Sequence, residues 1–260
     1  MRQIGLYSPA IHALIDNCPI GSETLITRML HLLTESPSNS GQLTSFAPSP
    51  TPAGLLSIVM PPSSIVDRVR RLYVDRVHDV RCLIPVLVGL TKPEVVAALP
   101  RLVLLSDKVV KEVITRLLYA SISTVHAPNP LVGKPGHENQ QPPVGPPLLG
   151  PMTPQELLVA IHLLEFVRQP ASGQLGSEVQ TPMVDIRSVL RACRVCLSER
   201  RLFTQDRLSV AIEQLVEQPV LPTLMMRTIM QALAMHPRLT GYIINVLSRL
   251  IRRQGAVRYG

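Results

Sequence analysis

Apolar residues recur at helical spacing in several separate stretches of the chain. Steps of three and four residues place side chains on one face of a helix, whereas strict alternation would indicate a strand. The clearest stripes are Val110, Val113, Ile114, Leu117 and Leu118; Leu208, Ala211, Ile212, Leu215 and Val216; and Ile243, Val246, Leu247, Leu250 and Ile251. No stretch alternates over a strand's length, and the hairpin dipeptides Asn-Gly and Asp-Gly do not occur. We therefore expect an all-α protein.

The stripes and the polar residues that flank them predict where helices begin and end. Ser22, Ser64 and Ser106 stand where a hydroxyl could cap the first turn. Thr91 with Glu94, and Thr153 with Glu156, have the spacing of capping boxes. The predicted helices span residues 22–33, 65–77, 79–90, 93–105, 107–119, 154–168, 183–198, 204–217, 223–235 and 239–253.

Two prolines fall inside predicted helices rather than at their first turns. Pro85 and Pro100 each remove a helical hydrogen bond and bend the helix. Curved helices suit a HEAT/armadillo-like stack of antiparallel helix pairs, such as 79–90 with 93–105. No sequence period supports the repeat directly. A HEAT/armadillo-like stack is the predicted architecture.

Stretches rich in Pro, Gly and Ser interrupt the helical regions, and we expect these inserts to be disordered. The predicted organisation is an N-terminal helical segment (1–35), a Pro/Ser-rich insert (36–62), a helical block (63–120), a Pro/Gly-rich linker (121–151), a second helical block (152–253, with an insert at 169–182) and a tail (254–260). The helical parts together are predicted to form one domain.

The charge is basic and comes mostly from arginine. Lys and Arg number 26 against 18 Asp and Glu, a formal net charge of +8. Arg187, Arg191 and Arg194 share one face of a predicted helix, and we predict that they bind a partner through an acidic peptide or a phosphate. An ordinary solvated face is the open alternative. With three Phe, five Tyr and no Trp, the chain offers few rings for stacking on bases, so direct RNA binding is a secondary hypothesis.

The sequence holds no strong catalytic or metal-binding motif. Cys193 and Cys196 form the only CxxC pair, while a structural zinc site needs about four ligands. We expect both cysteines to be buried helix residues, and His162 to lie partly buried or at a helix edge. We predict no enzyme activity, no cofactor and no metal. Four cysteines indicate a reducing compartment, and no stretch approaches the roughly 20 apolar residues of a membrane span.

Several long runs carry a family resemblance. LYSPAIHALIDNCP, VRCLIPVLVGLTKPEVVAALPRLVLLSDKVVKEVITRLL, MTPQELLVAIHLLE and CLSERRLFTQDRLSVAIEQLVEQPVLPTLMMRTIMQALAMHPRLTGYIINVLSRLI occur in order and resemble the C-terminal region of the symplekin family. The chain has no counterpart of the family's N-terminal HEAT domain, so binding of a polymerase-tail phosphatase does not carry over. It ends in RQGAVRYG where family members continue, and we expect a fragment or a truncated gene model.

The resemblance implies a non-catalytic scaffold of pre-mRNA 3′-end cleavage and polyadenylation. The implied partners are subunits of the cleavage and polyadenylation specificity factor, including its endonuclease pair, and other 3′-end processing factors, with RNA contacted at most indirectly. The implied location is the nucleus, although vertebrate members of the family are also associated with tight-junction plaques. A direct RNA-binding module that uses the arginine-rich faces is the alternative function.

Overall fold

The computed structural model describes residues 6–34, 60–120, 150–168 and 183–258, with side chains described as far as residue 253. These residues form helices and no β-strand, so the predicted all-α, HEAT-like fold is confirmed. The α-helices are α1 (Pro9–Asp16), α2 (Glu23–Thr34), α3 (Ser63–Leu72), α4 (Lys92–Leu102), α5 (Asp107–Ala120), α6 (Pro154–Leu163), α7 (Ile186–Ser198), α8 (Gln205–Val216), α9 (Met225–Met235) and α10 (Thr240–Arg258). A π-helical turn (Tyr73–Val77) and 3₁₀ helices (Val80–Gly89, Leu164–Phe166 and Pro237–Leu239) complete the set.

The chain divides into two compact units, Met1–Val95 with Tyr119–Pro151 and Val96–Leu118 with Met152–Gly260. In the first unit, α3 packs against α1 and against the 3₁₀ helix Val80–Gly89, which also contacts α2. In the second unit, α6 packs against α7 and α8, and α8 contacts α9 and α10. Aliphatic side chains dominate the buried residues, which agrees with the low aromatic content of the chain.

The segment Val80–Gly89 was predicted as an α-helix and is instead a 3₁₀ helix of ten residues, which is long for this geometry. Pro85 lies inside it and has no N–H to contribute. Residues 82–88 are all buried, so packing on every side stabilises the segment rather than one amphipathic face. At its end, a Cβ added to Gly89 would lie 2.6 Å from Cγ2 of Val66, so the close approach of α3 requires glycine there.

Two predicted serine caps are wrong. Helix α3 begins at Ser63 with Pro62 at the cap position, so Ser64 lies inside the helix. The fixed φ of proline suits a chain entering a helix, and the Pro62 carbonyl accepts from the N–H groups of Ile65 and Val66 at 2.9 and 3.1 Å. Ser22 does precede α2, but its hydroxyl donates to the Pro19 carbonyl at 2.7 Å instead of accepting from the helix.

The two predicted capping boxes differ in completeness. At α6 the Thr153 hydroxyl accepts from the Glu156 N–H while the Glu156 carboxylate accepts from the Thr153 N–H, as predicted. At α4 the Glu94 carboxylate accepts from both the N–H and the hydroxyl of Thr91, at 2.8 and 2.7 Å. The Thr153 hydroxyl also donates to its carboxylate, so the difference at α6 is the added bond from the Glu156 N–H to that hydroxyl. The Glu94 carboxylate also pairs with Arg70.

Other observed helices differ from the predicted ones in their existence, their ends or their buried residues. Helix α1 was not predicted, because its eight residues offer only two buried apolar positions, Ile11 and Ile15. Helix α10 continues past the predicted end at residue 253 as far as Arg258. Ile251, placed in the predicted buried stripe of α10, is 71% exposed, so that assignment is wrong.

The predicted inserts at 36–62, 121–151 and 169–182 fall almost wholly outside the described residues, and their disorder stays a prediction. Within the described parts of the chain, no helix is long and apolar enough to cross a membrane.

Candidate functional site

Helix α7 carries the arginine row singled out from the sequence. The helix begins after Asp185, whose carboxylate accepts from the Arg187 N–H at 3.2 Å and caps the first turn. Arg187 and Arg194 are exposed, seven residues or about 10 Å apart along the helix axis. Arg191 lies between them and is only half exposed. The predicted common face exists, but its three members have different environments.

Arg191 is held by the chain itself. One terminal nitrogen of its guanidinium donates to the carbonyls of Val103 and Leu105, at 2.6 and 3.1 Å. The other lies 2.5 Å from the carboxylate of Asp107. Because these carbonyls follow the last residue of α4, Arg191 satisfies acceptors that a helix end leaves unpaired. Its role is to join α7 to the turn between α4 and α5.

Four arginines on α7 and in the turn after it have no such partner. We call Arg187, Arg194, Arg200 and Arg201 the α7 basic segment. Their side chains are exposed, and none of their guanidinium groups has an ion pair or a hydrogen bond with another described residue. A guanidinium group can bind a carboxylate or a phosphate through two parallel hydrogen bonds. The α7 basic segment is therefore the candidate site for an anionic partner.

The opposite face of α7 is buried and contains both cysteines of the CxxC pair. Cys193 and Cys196 are buried, which confirms their prediction as buried helix residues. Burial raises the pKa of the Cys193 thiol to about 12 and raises that of Cys196 well above its usual value. Among the described residues, no three His, Cys, Asp or Glu side chains lie together as a metal site would require. Both thiols are therefore in the protonated, unreactive form at neutral pH.

His162 was predicted to lie partly buried or at a helix edge, and this prediction is wrong. The residue is 1% exposed. Its Nδ1 lies 2.8 Å from the Leu158 carbonyl, and its Nε2 lies 2.8 Å from the Thr228 hydroxyl. A carbonyl only accepts, so Nδ1 carries the proton and the hydroxyl donates to Nε2. The Cys193 sulfur lies 3.7 Å from Nδ1, so this polar cluster joins α6, α7 and α9.

The fully bonded imidazole of His162 is neutral. Burial lowers its pKa, and the hydrogen bond to Leu158 and the charge of Glu165 oppose that shift only in part. With no exposed ring atom to meet a substrate, the residue stabilises the helix packing rather than offering chemistry. Sequence reasoning missed the cluster because Thr228 lies 66 positions away from His162 along the chain.

Arginines of α8 and α10 also bind within the chain. The Arg253 guanidinium donates to the carbonyls of Val216 and Gln218, at 2.9 and 3.1 Å, at the end of α8. Arg249 makes two hydrogen bonds of 2.6 Å with the Glu213 carboxylate and holds the pKa of that carboxyl below its usual value. Arg207 donates to the Leu202 carbonyl. No local pattern marked these arginines as structural, because most of their partners are distant in sequence.

The chain was compared with solved structures and with models of protein families. No solved structure matches this chain. A family model described as symplekin tight junction protein C terminal matches residues 79–254. That span is well over half of the chain and includes α4 to α9, most of α10 and the whole α7 basic segment. The chain therefore belongs to the family of the symplekin C-terminal region.

Proposed function

We propose that the chain is a non-catalytic scaffold of the nuclear machinery that cleaves and polyadenylates pre-mRNA 3′ ends. The observation that carries the proposal is the family match over residues 79–254. The proposed partners are subunits of the cleavage and polyadenylation specificity factor, including its endonuclease pair, together with other 3′-end processing factors. RNA is then contacted only through those proteins.

The α7 basic segment supports a protein-binding role for this part of the chain. Arg187 and Arg194 project from a helix that Arg191 fixes in place, so the two charges are held at a constant spacing. Arg200 and Arg201 extend the positive charge beyond the end of the helix. A partner with carboxylates at similar spacing would gain orientation and association rate from these contacts. We infer that acidic segments of the processing factors bind here.

A capture experiment tests the scaffold proposal. The 260-residue chain, carrying an affinity tag, is incubated with nuclear extract at about 0.15 M and about 0.5 M salt, and the specificity-factor subunits are detected by immunoblot. The double variant Arg187→Glu, Arg194→Glu is compared with Arg28→Glu, Arg71→Glu, which changes charge equally at exposed positions of the other unit. We expect capture by the wild type and the control, and loss of most capture by the α7 variant. Absence of these subunits from the wild-type capture would refute the scaffold proposal.

The four unpaired arginines of the α7 basic segment also favour a second candidate, direct RNA binding. Phosphate contacts release counterions, so affinity for single-stranded RNA should fall with salt at a slope of about −0.7 per contact. The test is fluorescence anisotropy with a labelled uridine oligonucleotide over a salt series. A steep slope that the α7 variant makes shallower would favour RNA. If the oligonucleotide bound weakly and neither double variant changed its affinity, direct RNA binding would be rejected.

A further inference from the structure

The last part of the chain has an unusual charge distribution. From Gln218 to Gly260 there is no Asp or Glu, while arginine occurs six times, at 227, 238, 249, 252, 253 and 258. Two of these arginines, Arg249 and Arg253, bind groups on or just after α8, as described above. Arg227 and Arg238 are exposed and have no ion pair with any described residue. They lie within α9 and just after it.

Helix α9 has two apolar faces, of which only one is used within the described chain. Met225, Thr228, Ile229 and Ala232 are buried. Met226 and Met230, one turn apart, are 47% and 62% exposed. Ala234 is exposed one turn further on, and Leu233 beside it is half-buried. We call Met226, Met230, Leu233 and Ala234 the α9 outer stripe.

We propose that the α9 outer stripe docks an acidic amphipathic helix of a partner protein. Residues at i, i+4 and i+8 form a continuous apolar row over about two turns, the length of contact that a partner helix makes in a shallow groove. Methionine side chains are flexible and polarisable, so they adapt to the apolar face of a bound helix. Arg227 and Arg238, near the two ends of the row, complement carboxylates on that helix.

The charge and the side-chain types favour this occupant over others. A second copy of α9 would bring Arg227 and Arg238 against the same arginines, with no acidic residue between 218 and 260 to offset them. A single-stranded nucleic acid binds best where aromatic rings stack on its bases, and the stripe offers thioethers and methyl groups with no aromatic ring among them. The inference goes beyond the scaffold proposal, because it concerns a surface separate from the α7 basic segment and names the chemistry of the partner segment.

The test is direct binding of a designed probe to the 260-residue chain. The probe is a fluorescein-labelled peptide of about 18 residues, about 27 Å long as a helix, with leucines at i, i+3, i+4 and i+7 and glutamates elsewhere. Fluorescence anisotropy is measured for the wild type, for Met226→Gln, Met230→Gln and for Arg227→Glu. The matched control is Ile244→Gln, Ile251→Gln, which changes two apolar residues of α10 that are 57% and 71% exposed.

We expect the Met226→Gln, Met230→Gln variant to weaken binding by about tenfold, since two half-exposed side chains lose their apolar burial. Arg227→Glu should weaken it by about threefold to tenfold, while the α10 control changes it by less than about twofold. A probe in which serine replaces leucine, and one in which lysine replaces glutamate, should both lose most of the affinity.

Several results would overturn the proposal. One is a dissociation constant weaker than about 100 µM for the acidic probe. Another is equal weakening by the α9 and α10 variants. Tighter binding of a uridine oligonucleotide that the α9 variant abolishes would make the surface a nucleic-acid site instead. Thermal unfolding gives a further check: a large fall in Tm in the α9 variant, together with no probe binding, would mean that the chain covers the stripe itself. The capture test at the α7 basic segment is read separately, so failure of one proposal does not decide the other.

Discussion

Helix α7 carries three arginines and α10 carries four, three of which have described side chains, and the two helices use them differently. In α10, Arg249 and Arg253 bind groups on or just after α8, and only Arg252 is left exposed without a described partner. In α7, Arg191 alone is bound within the chain, and Arg187 and Arg194 face solvent. The two helices therefore have similar charge, but they differ in how many exposed guanidinium groups are available to bind a partner. Availability, rather than the number of arginines, marks α7 as the better candidate for an anionic partner.

The two helices also share a structural device. Arg191 reaches the carbonyls that follow α4, and Arg253 reaches those at the end of α8. Carbonyls at a helix C-terminus lack intrahelical partners and carry partial negative charge, and the forked guanidinium group can bind two of them at once. In each case a later helix is fixed against the end of an earlier one. The arginine side chain is long enough to extend from the side of one helix to the carbonyls at the C-terminal end of another.

The buried faces of the two helices give the largest contrast to test. That of α7 contains two thiols, whereas the buried residues of α10 include Ile243, Val246 and Leu250. Because burial raises the pKa of Cys193 to about 12, its thiolate fraction should be lower than in the unfolded chain by a factor of about a thousand. We expect iodoacetamide to alkylate Cys193 at least that much more slowly in the native chain than in urea, as measured by peptide mass spectrometry.

An internal control for that experiment is Ser198→Cys, which places a thiol on the exposed side of the last turn of α7. This position should react at the rate of a free thiol in the folded protein. Similar native rates at Cys193 and at the new thiol would show that the face assigned as buried is open to solvent.

Removing Arg191 tests the distinction between structural and available arginines. Arg191→Ala leaves two carbonyls and the Asp107 carboxylate without their donor. We expect the free energy of unfolding in urea to fall by about 1–3 kcal/mol, as for other lost hydrogen bonds of charged groups. Arg194→Ala, on the same face, should change it by less than about 0.5 kcal/mol. If both substitutions had the same effect, the assignment of separate roles within α7 would be wrong.

Stability measured at two pH values tests the polar cluster behind α7, because that cluster contains the titratable residue His162. The buried residues Ile243, Val246 and Leu250 of α10 do not titrate and should add no pH dependence. The pKa of His162 is lowered in the folded protein by burial, so below the unfolded-state value of about 6.5 the unfolded chain binds the proton more readily. The contribution of His162 to stability is therefore complete above about pH 6.5 and is lost as the pH falls below it. We expect the free energy of unfolding to decrease between about pH 7 and about pH 5.5.

The matched variant is His162→Gln, which keeps polar atoms in the cluster but does not titrate. The acid-induced decrease in the urea midpoint should be smaller in this variant than in the wild type. An unchanged pH profile would show that other groups are responsible for it.

What the sequence predicted well depends on residues that are close together along the chain. The stripe from Leu208 to Val216 is buried at all five positions, because helical periodicity is a local property. The capping box joins Thr153 and Glu156, which are only three positions apart, and was predicted for the same reason. Val80–Gly89 was assigned the wrong helix type because a segment buried on all sides has no amphipathic period to distinguish 3₁₀ from α geometry.

The features of the site that the sequence did not show depend on contacts between distant positions. Arg191 and Asp107 are 84 residues apart, and His162 and Thr228 are 66 apart. The sequence placed Arg187, Arg191 and Arg194 on one face correctly, since that needs only the helical repeat. It could not show that the middle one is bound by the end of another helix. The exposed stripe of α9 was missed for a related reason: an apolar row on a helix predicts burial, and only the packing shows which row remains open.

The smallest effect on the free energy of unfolding is expected when Arg253 and Arg252 of α10 are replaced separately and compared. Arg253 donates to the Val216 and Gln218 carbonyls from a largely exposed position, so solvent competes for these bonds and Arg253→Ala should lower the unfolding free energy by only about 0.5 kcal/mol. Arg252→Ala, which removes an exposed charge with no described partner, should have no measurable effect. The difference requires paired urea titrations with shared baselines, repeated at about 1 M salt, where screening should reduce the Arg253 effect further. A loss at Arg253 as large as that at Arg191 would mean that both helix ends depend equally on their arginines, and that exposure is a poor guide to which arginines the fold needs.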